Sequence, residues 1–197
     1  MQSTKRGAVK ACLMTGRRRA ARGFTIIELL VAMVVAAILL GLAVPSFREA
    51  VLSSRLTGYA NDLVASVQIA RSEAIKRNAE VTLCASADGA TCAEDVGWQV
   101  GWIILVPRQE VDPDDPDAFI TVMDVAKRHE RLTRDFVFTE ATGLTELAFP
   151  PTVAGVTPAT FTVCRAEPPG RQERVVRVTS SGSTAVTRTE TGDCPAD

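Results

Sequence analysis

An uninterrupted apolar run from Phe24 to Val44, FTIIELLVAMVVAAILLGLAV, constrains this chain more than anything else in it. At 21 residues it is long enough for a helix to cross a hydrocarbon core of roughly 30 Å. Its only charge is Glu28. A cleaved secretory signal also has a basic start followed by an apolar stretch. Here the run is too long for an ordinary signal core, and VPSFREAVLSSRL stands where a small-residue cleavage site should follow. The segment is therefore expected to remain in the mature chain as a membrane span.

Charge gives the span a direction. The 197 residues carry a formal net charge of -1, but residues 1–23 hold seven basic groups and no Asp or Glu, which leaves 15 basic against 23 acidic groups beyond Gly23. Basic residues ahead of a span hold that end in the cytoplasm, so residues from about Ser46 onward are expected on the far side. A hydrophobic share of 46% and a charged share of 23% allow one core-bearing domain there.

Cysteine use agrees with export. Cys12 lies in the basic leader, and Cys84, Cys92, Cys164 and Cys194 lie beyond the span. An even set in an exported domain points to disulfides. Four cysteines allow three pairings, and the sequence leaves them open. The turn-rich CASADGATC favours Cys84 with Cys92, and Cys164 with Cys194 follows by elimination. Zinc is set aside because the chain has no CxxC spacing and no His cluster.

After the span, Leu52, Leu56, Tyr59, Leu63, Val67, Ala70 and Ala74 recur at steps of three and four, which marks one face of an amphipathic helix. A bend is expected near Pro45, since proline removes a donor and crowds the preceding turn. The helix should run to about Asn78, a length of ~80 Å at 1.5 Å per residue. Beyond it come short β-type runs: EVTLCAS, WQVGWIILV, AFITVMDV, DFVFTE, TELAFP, TFTVC, ERVVRVT and STAVTRT. These read as seven or eight antiparallel strands. Pro107 to Asp117, PRQEVDPDDPD, reads as a loop. The expected fold is α+β: a long N-terminal helix, spanning the membrane in its first half and amphipathic in its second, packed on a C-terminal antiparallel β domain. The expected divisions are a leader at 1–23, the helix at 24–78 with its span at 24–44, and a β domain at 79–197 packed with 46–78.

The segment RGFTIIELLVAMVVAAILLGLAVPSF resembles the processing signal of type IV prepilins. It combines a basic leader, Gly23, aromatic Phe24, Glu28 at the fifth position after the glycine, and an apolar run with Pro45 near its end. The resemblance implies that a prepilin peptidase cuts after Gly23 and methylates the new amino terminus at Phe24. Gly23 suits this physically, because no side chain blocks the approach to its backbone. It also implies a partner for Glu28, the Phe24 amine of a neighbouring subunit, with the apolar helices bundling as a fibre core. A carboxylate inside an apolar span costs several kcal/mol unless paired. The plainer reading is an acid at a helix start that meets the macrodipole and reaches the headgroups. The leader is longer than the usual handful of residues, and a start at Met14 would shorten it to MTGRRRAARG and discard Cys12.

The segment NDLVASVQIARSEAIKRNAEVTLCAS, followed by GWQVGWIILV, is similar to the GspH/FimT group. That group includes FimU and FimT minor pilins and the H-type pseudopilins of type II secretion. The likeness is strong from Gly23 to Val106 and diffuse afterwards, and two cysteine pairs look more like the FimU type. DNA-binding members carry a basic GRxR-like motif near the C-terminus, whereas this chain reads SSGSTAVTRT there, with Ser183 after Gly182.

Other features carry less. The only histidine, His129, sits in KRHERLTR, which reads as a solvated basic face. Ser53 and Ser54 have no imidazole nearby in sequence and no nucleophile-elbow context. The DPDDPD acids lack EF-hand spacing and read as a hydrated loop. Trp98, Val100 and Trp102 alternate as on one side of a strand and read as core. Arg165, Arg171, Arg174, Arg177 and Arg188 make the C-terminal strands locally basic and keep a DNA- or partner-binding face in play. The function expected is structural, with no catalytic residue, metal or cofactor: a minor pilin that helps initiate or cap a type IV pilus. Its partners would be the prepilin peptidase, the inner membrane, and other minor and major pilins or pseudopilins. The alternatives are an H-type minor pseudopilin of type II secretion and a DNA-binding pilin for natural transformation.

Overall fold

The computed structural model describes residues 23–152, 155–166, 172–190 and 194. The leader with Cys12 and Met14, and Arg171 among the C-terminal arginines, lie outside the described residues. The chain divides into two compact units between Ser46 and Phe47.

One helix, α1 (Ile26–Arg77), runs through position 45 as a single element. Its start is capped by Thr25, whose hydroxyl accepts the N–H of Glu28 at 3.3 Å and so satisfies one of the orphan donors of the first turn. Its end is set by Asn78 in the left-handed region at φ 50°. There Ala79 N–H reaches the Ala74 carbonyl at 3.2 Å and Asn78 N–H reaches that of Ile75 at 3.3 Å. This is the Schellman pattern, and it stops the helix by occupying its last free carbonyls.

The fold is α+β. Strands β1 (Val81–Ala85), β2 (Trp102–Val111), β3 (Phe119–His129) and β5 (Glu146–Phe149) form one sheet in the order β3-β2-β1-β5. A second sheet, β4-β6-β7-β8, holds β4 (Phe136–Glu140), β6 (Ala159–Arg165), β7 (Glu173–Val178) and β8 (Thr184–Thr189). Every pairing is antiparallel. Within the second unit Leu52, Leu56, Ala60, Leu63, Val67, Ala70 and Ala74 are buried in one core with both sheets, and Tyr59 packs at its edge. Trp98, Phe138 and Phe161 meet edge to face, with Trp98 and Phe161 4.9 Å apart and Phe138 and Phe161 6.0 Å apart, the arrangement ring quadrupoles favour.

Two local expectations are corrected. Trp98 and Val100 do not continue a strand: Trp98–Val100 is a 3-10 turn closed by Gly101 N–H on the Trp98 carbonyl at 3.2 Å. Gly101 stands at φ 111°, and a Cβ there would lie 2.6 Å from the His129 carbonyl oxygen, so glycine is required and the strand begins only after it. Both tryptophans are nevertheless core. The second correction concerns Pro107 to Val111, which belong to β2, so the loop is confined to residues 112–118. The ladder with β1 ends at Leu105. Beyond it β2 has β3 on one side only, and a proline is tolerated where its missing donor can face an open edge.

Candidate functional site

Gly23, Phe24 and Thr25 precede the first helical turn and are exposed. No atom lies within 4 Å of the place where a Gly23 side chain would be. The Gly23–Phe24 peptide is thus reachable without unwinding the helix. Every side chain from Phe24 to Val44 is exposed. This is the one helix among the described residues long and apolar enough to cross a membrane. The Glu28 carboxylate has no partner among the described residues, while its own N–H is held by Thr25. Thr25 and Glu28 stand at the spacing of a T-x-x-E start pattern that the sequence reading passed over, and its Thr25 half, the hydroxyl on the Glu28 N–H, is the half that is formed.

A second cluster sits in the globular unit around Trp102. Its indole N–H donates to Ser66 Oγ at 2.9 Å, and the Ser66 hydroxyl donates to the Asp62 carbonyl at 2.8 Å. The His129 ring lies flat on the indole, with centroids 3.9 Å apart and planes 4° apart. His129 Nδ1 is 2.8 Å from the Glu130 carbonyl and Nε2 is 3.2 Å from Asp62 Oδ2, so both ring nitrogens face acceptors. The expected solvated basic face is therefore corrected at His129, which clamps β3 to α1. Its contacts are those of packing, one ring laid on another with an acceptor at each nitrogen. Only the Trp102–His129 register across β2 and β3 discloses the contact.

The structure joins Cys84 to Cys92 and Cys164 to Cys194. Inside the first loop, Asp88 Oδ1 accepts the N–H groups of Ala90 at 2.8 Å and Thr91 at 2.9 Å, and Oδ2 accepts the Thr91 hydroxyl at 2.8 Å. The Thr91 N–H, then that of Ala90, then the Thr91 and Ser86 hydroxyls hold this carboxyl far below the usual carboxylate range. Glu140 serves the second sheet in the same way. It accepts Thr142 N–H at 2.7 Å, the Thr142 hydroxyl at 2.8 Å, and the N–H groups of Leu144 and Thr160 at 3.1 Å each. Burial pushes its pKa up, but those four donors together outweigh burial and hold it below its ordinary value.

The four described C-terminal arginines, Arg165, Arg174, Arg177 and Arg188, do not form one exposed basic face. Arg174 is buried, with Nη2 at 2.7 Å from Ser53 Oγ, Nε at 3.1 Å from Thr57 Oγ1 and Nη1 at 2.8 Å from the Glu173 carbonyl. It ties β7 to α1 and cannot touch a nucleic acid. Arg188 is engaged by Glu190 at 2.9 Å, Arg177 is exposed and Arg165 half-buried. Among the described residues no group of three His, Cys, Asp or Glu side chains could hold a metal.

Residues 59–182 match the profile of the family described as type II transport protein GspH, and residues 18–44 match the prokaryotic N-terminal methylation motif. Among solved structures, the chain is similar to the type IV minor pilin FimU of Pseudomonas aeruginosa, at 21% identity and a TM-score of 0.48, over 68% of this chain and 89% of the solved FimU chain. It is also similar to the minor pseudopilin EpsH of the Vibrio cholerae type 2 secretion system, at 12% identity and a TM-score of 0.45, over 67% of this chain and 95% of the solved EpsH chain. No curated protein sequence matches the chain at a significant level.

Proposed function

The chain belongs to the type II transport protein GspH family, and from that premise we propose that it is a minor pilin that helps initiate or cap a type IV pilus. The observation that carries this reading is the apolar stretch Phe24–Val44, helical from Ile26, exposed at every position and charged only at Glu28. Twenty or so apolar side chains cannot stay in water, so they require lipid first and the like helices of other subunits afterwards. A methylation motif over residues 18–44 supports release from the leader after Gly23 by a prepilin peptidase. The new amine at Phe24 would then stand at the positive end of a helix, where a cation is disfavoured. Glu28 of a neighbouring subunit is the counter-charge that offsets this. No catalytic group is needed for such a role, and the globular unit would lie in the periplasm until assembly.

The test is mass spectrometry of protein extracted from membranes of cells that possess the peptidase. An N-methylated Phe24 start is expected, and an intact Met1 or Met14 terminus rejects the reading. The second reading, an H-type minor pseudopilin of type II secretion, is favoured by the description of the matched family. Genes for a secretion ATPase and secretin beside this one support it, and other minor pilin genes support the pilus. DNA binding for transformation is weakened by the burial of Arg174. A fragment beginning at Phe47 that leaves duplex DNA unshifted at low salt disposes of it.

A further inference from the structure

The second unit carries a groove of about 310 Å³ beside the first turns of its share of α1, from Phe47 to Arg55. Phe47, Val51 and Phe136 supply its apolar surface, and Arg48, Arg55 and Arg165 surround it, with Asp135 as the one acid. Phe47 is 71% exposed and Val51 37%. Neither Arg48 nor Arg55 makes an ion pair among the described residues. Two uncompensated guanidiniums beside an open apolar surface fit a ligand that is anionic at one end and hydrocarbon at the other. Position in the sequence selects among such ligands. Arg48 is four residues past Val44, ~6 Å of chain at helical rise, and the headgroup layer on each side of a bilayer is about 5 to 7 Å deep. Arg55 lies seven residues further along, about two turns, on the same side of the helix. Guanidiniums match phosphate in shape and charge and keep their protons at any relevant pH.

We propose that this groove binds the phosphate of an anionic phospholipid headgroup, with Arg48 and Arg55 on the phosphate and the lipid's upper acyl chain against Phe47 and Val51. The proposal rests on the membrane-anchored reading above. It gives the subunit a fixed seat on the membrane surface before assembly, and leaving that seat becomes part of entering a fibre.

The test uses the full chain in neutral detergent, mixed with phosphatidylglycerol, phosphatidylcholine or inorganic phosphate and read by native mass spectrometry. Phosphatidylglycerol should be retained at least ten-fold over phosphatidylcholine. A cation near an anionic lipid surface contributes about five-fold, so R48Q/R55Q should lower that retention about thirty-fold. Equal retention of the two lipids by the wild-type chain overturns the proposal without any variant. So does equal retention of phosphatidylglycerol by wild type and R48Q/R55Q, or its displacement by an equal concentration of inorganic phosphate, which would make this a free-anion site. The anchoring reading fails separately, if alkaline carbonate releases the wild-type chain from membranes; retention there without lipid preference sinks only this proposal.

Discussion

Removing the two disulfides separately should cost unequal amounts, and the loops they close say by how much. Cys164–Cys194 spans 30 residues and Cys84–Cys92 spans 8. Loop-closure entropy gives about 3.6 kcal/mol for the longer and about 2.5 kcal/mol for the shorter at 25 °C. Alanine pairs delete the same atoms at both sites, so the small cavities left behind largely cancel in the comparison. Local structure widens the gap, because the Asp88 network holds the shorter loop without its sulfurs. Residues from Phe47 onward form a compact unit, so a fragment starting there can be unfolded in urea. Its C164A/C194A variant should lose roughly 1 kcal/mol more than C84A/C92A, and melt about 10 °C below wild type. A larger loss from the shorter loop, or none from the longer, would show that strain or residual structure in the unfolded chain governs these bonds and not loop length.

Glu28→Leu is expected to insert in the membrane and be cut after Gly23, because an apolar side chain eases membrane residence, yet to be poorly recovered in sheared fibres. Leaving a buried amine without its counter-charge costs about 3 to 5 kcal/mol per subunit; equal membrane and fibre recovery for mutant and wild type, with Gly23→Val as the uncleaved control, removes Glu28 from assembly. Glu140 predicts a pH dependence. Its folded pKa lies below its ordinary 4.5, so the stability it contributes is fully present above that value and is lost as pH falls through the lower folded value. Glu140→Gln should cost about 1 to 3 kcal/mol at pH 7 and flatten the acid limb of a plot of urea midpoint against pH; an unchanged limb removes Glu140 as its cause.

The elements that follow from chain-local chemistry could be read from residues alone. Leu52, Leu56, Leu63, Val67, Ala70 and Ala74 are buried because a period of 3.6 puts them on one side wherever the helix docks. Seven or eight strands were legible because runs of β-branched and aromatic residues alternate with turn residues. What escaped depends on partners distant in sequence. Arg174 stands in ERVVRV, where no alternation marks a buried side, and only the docking of β7 beside Ser53 and Thr57 makes it internal. His129 looked solvated until β3 brought it onto Trp102. Pro107 argued against a strand on local grounds, and whether proline is tolerated depends on which neighbour a strand lacks. Thr25 shows a different failure. Its capping pattern was legible, and attention to the charge of Glu28 obscured the backbone role of the same residue.

Beyond Leu105 the β2–β3 pair continues as a two-stranded ribbon out to Val111 and Phe119. Val111, Phe119, Ile120 and Met123 are exposed along it, and no residue of the ribbon past Val106 belongs to the buried core. Substitutions there leave the folding equilibrium almost untouched, since surface changes away from caps and buried groups stay within about 0.5 kcal/mol. The ribbon is therefore where sequence drift is cheapest in this architecture. Two chains built on the same framework could acquire different recognition properties along these residues without renegotiating how either one folds.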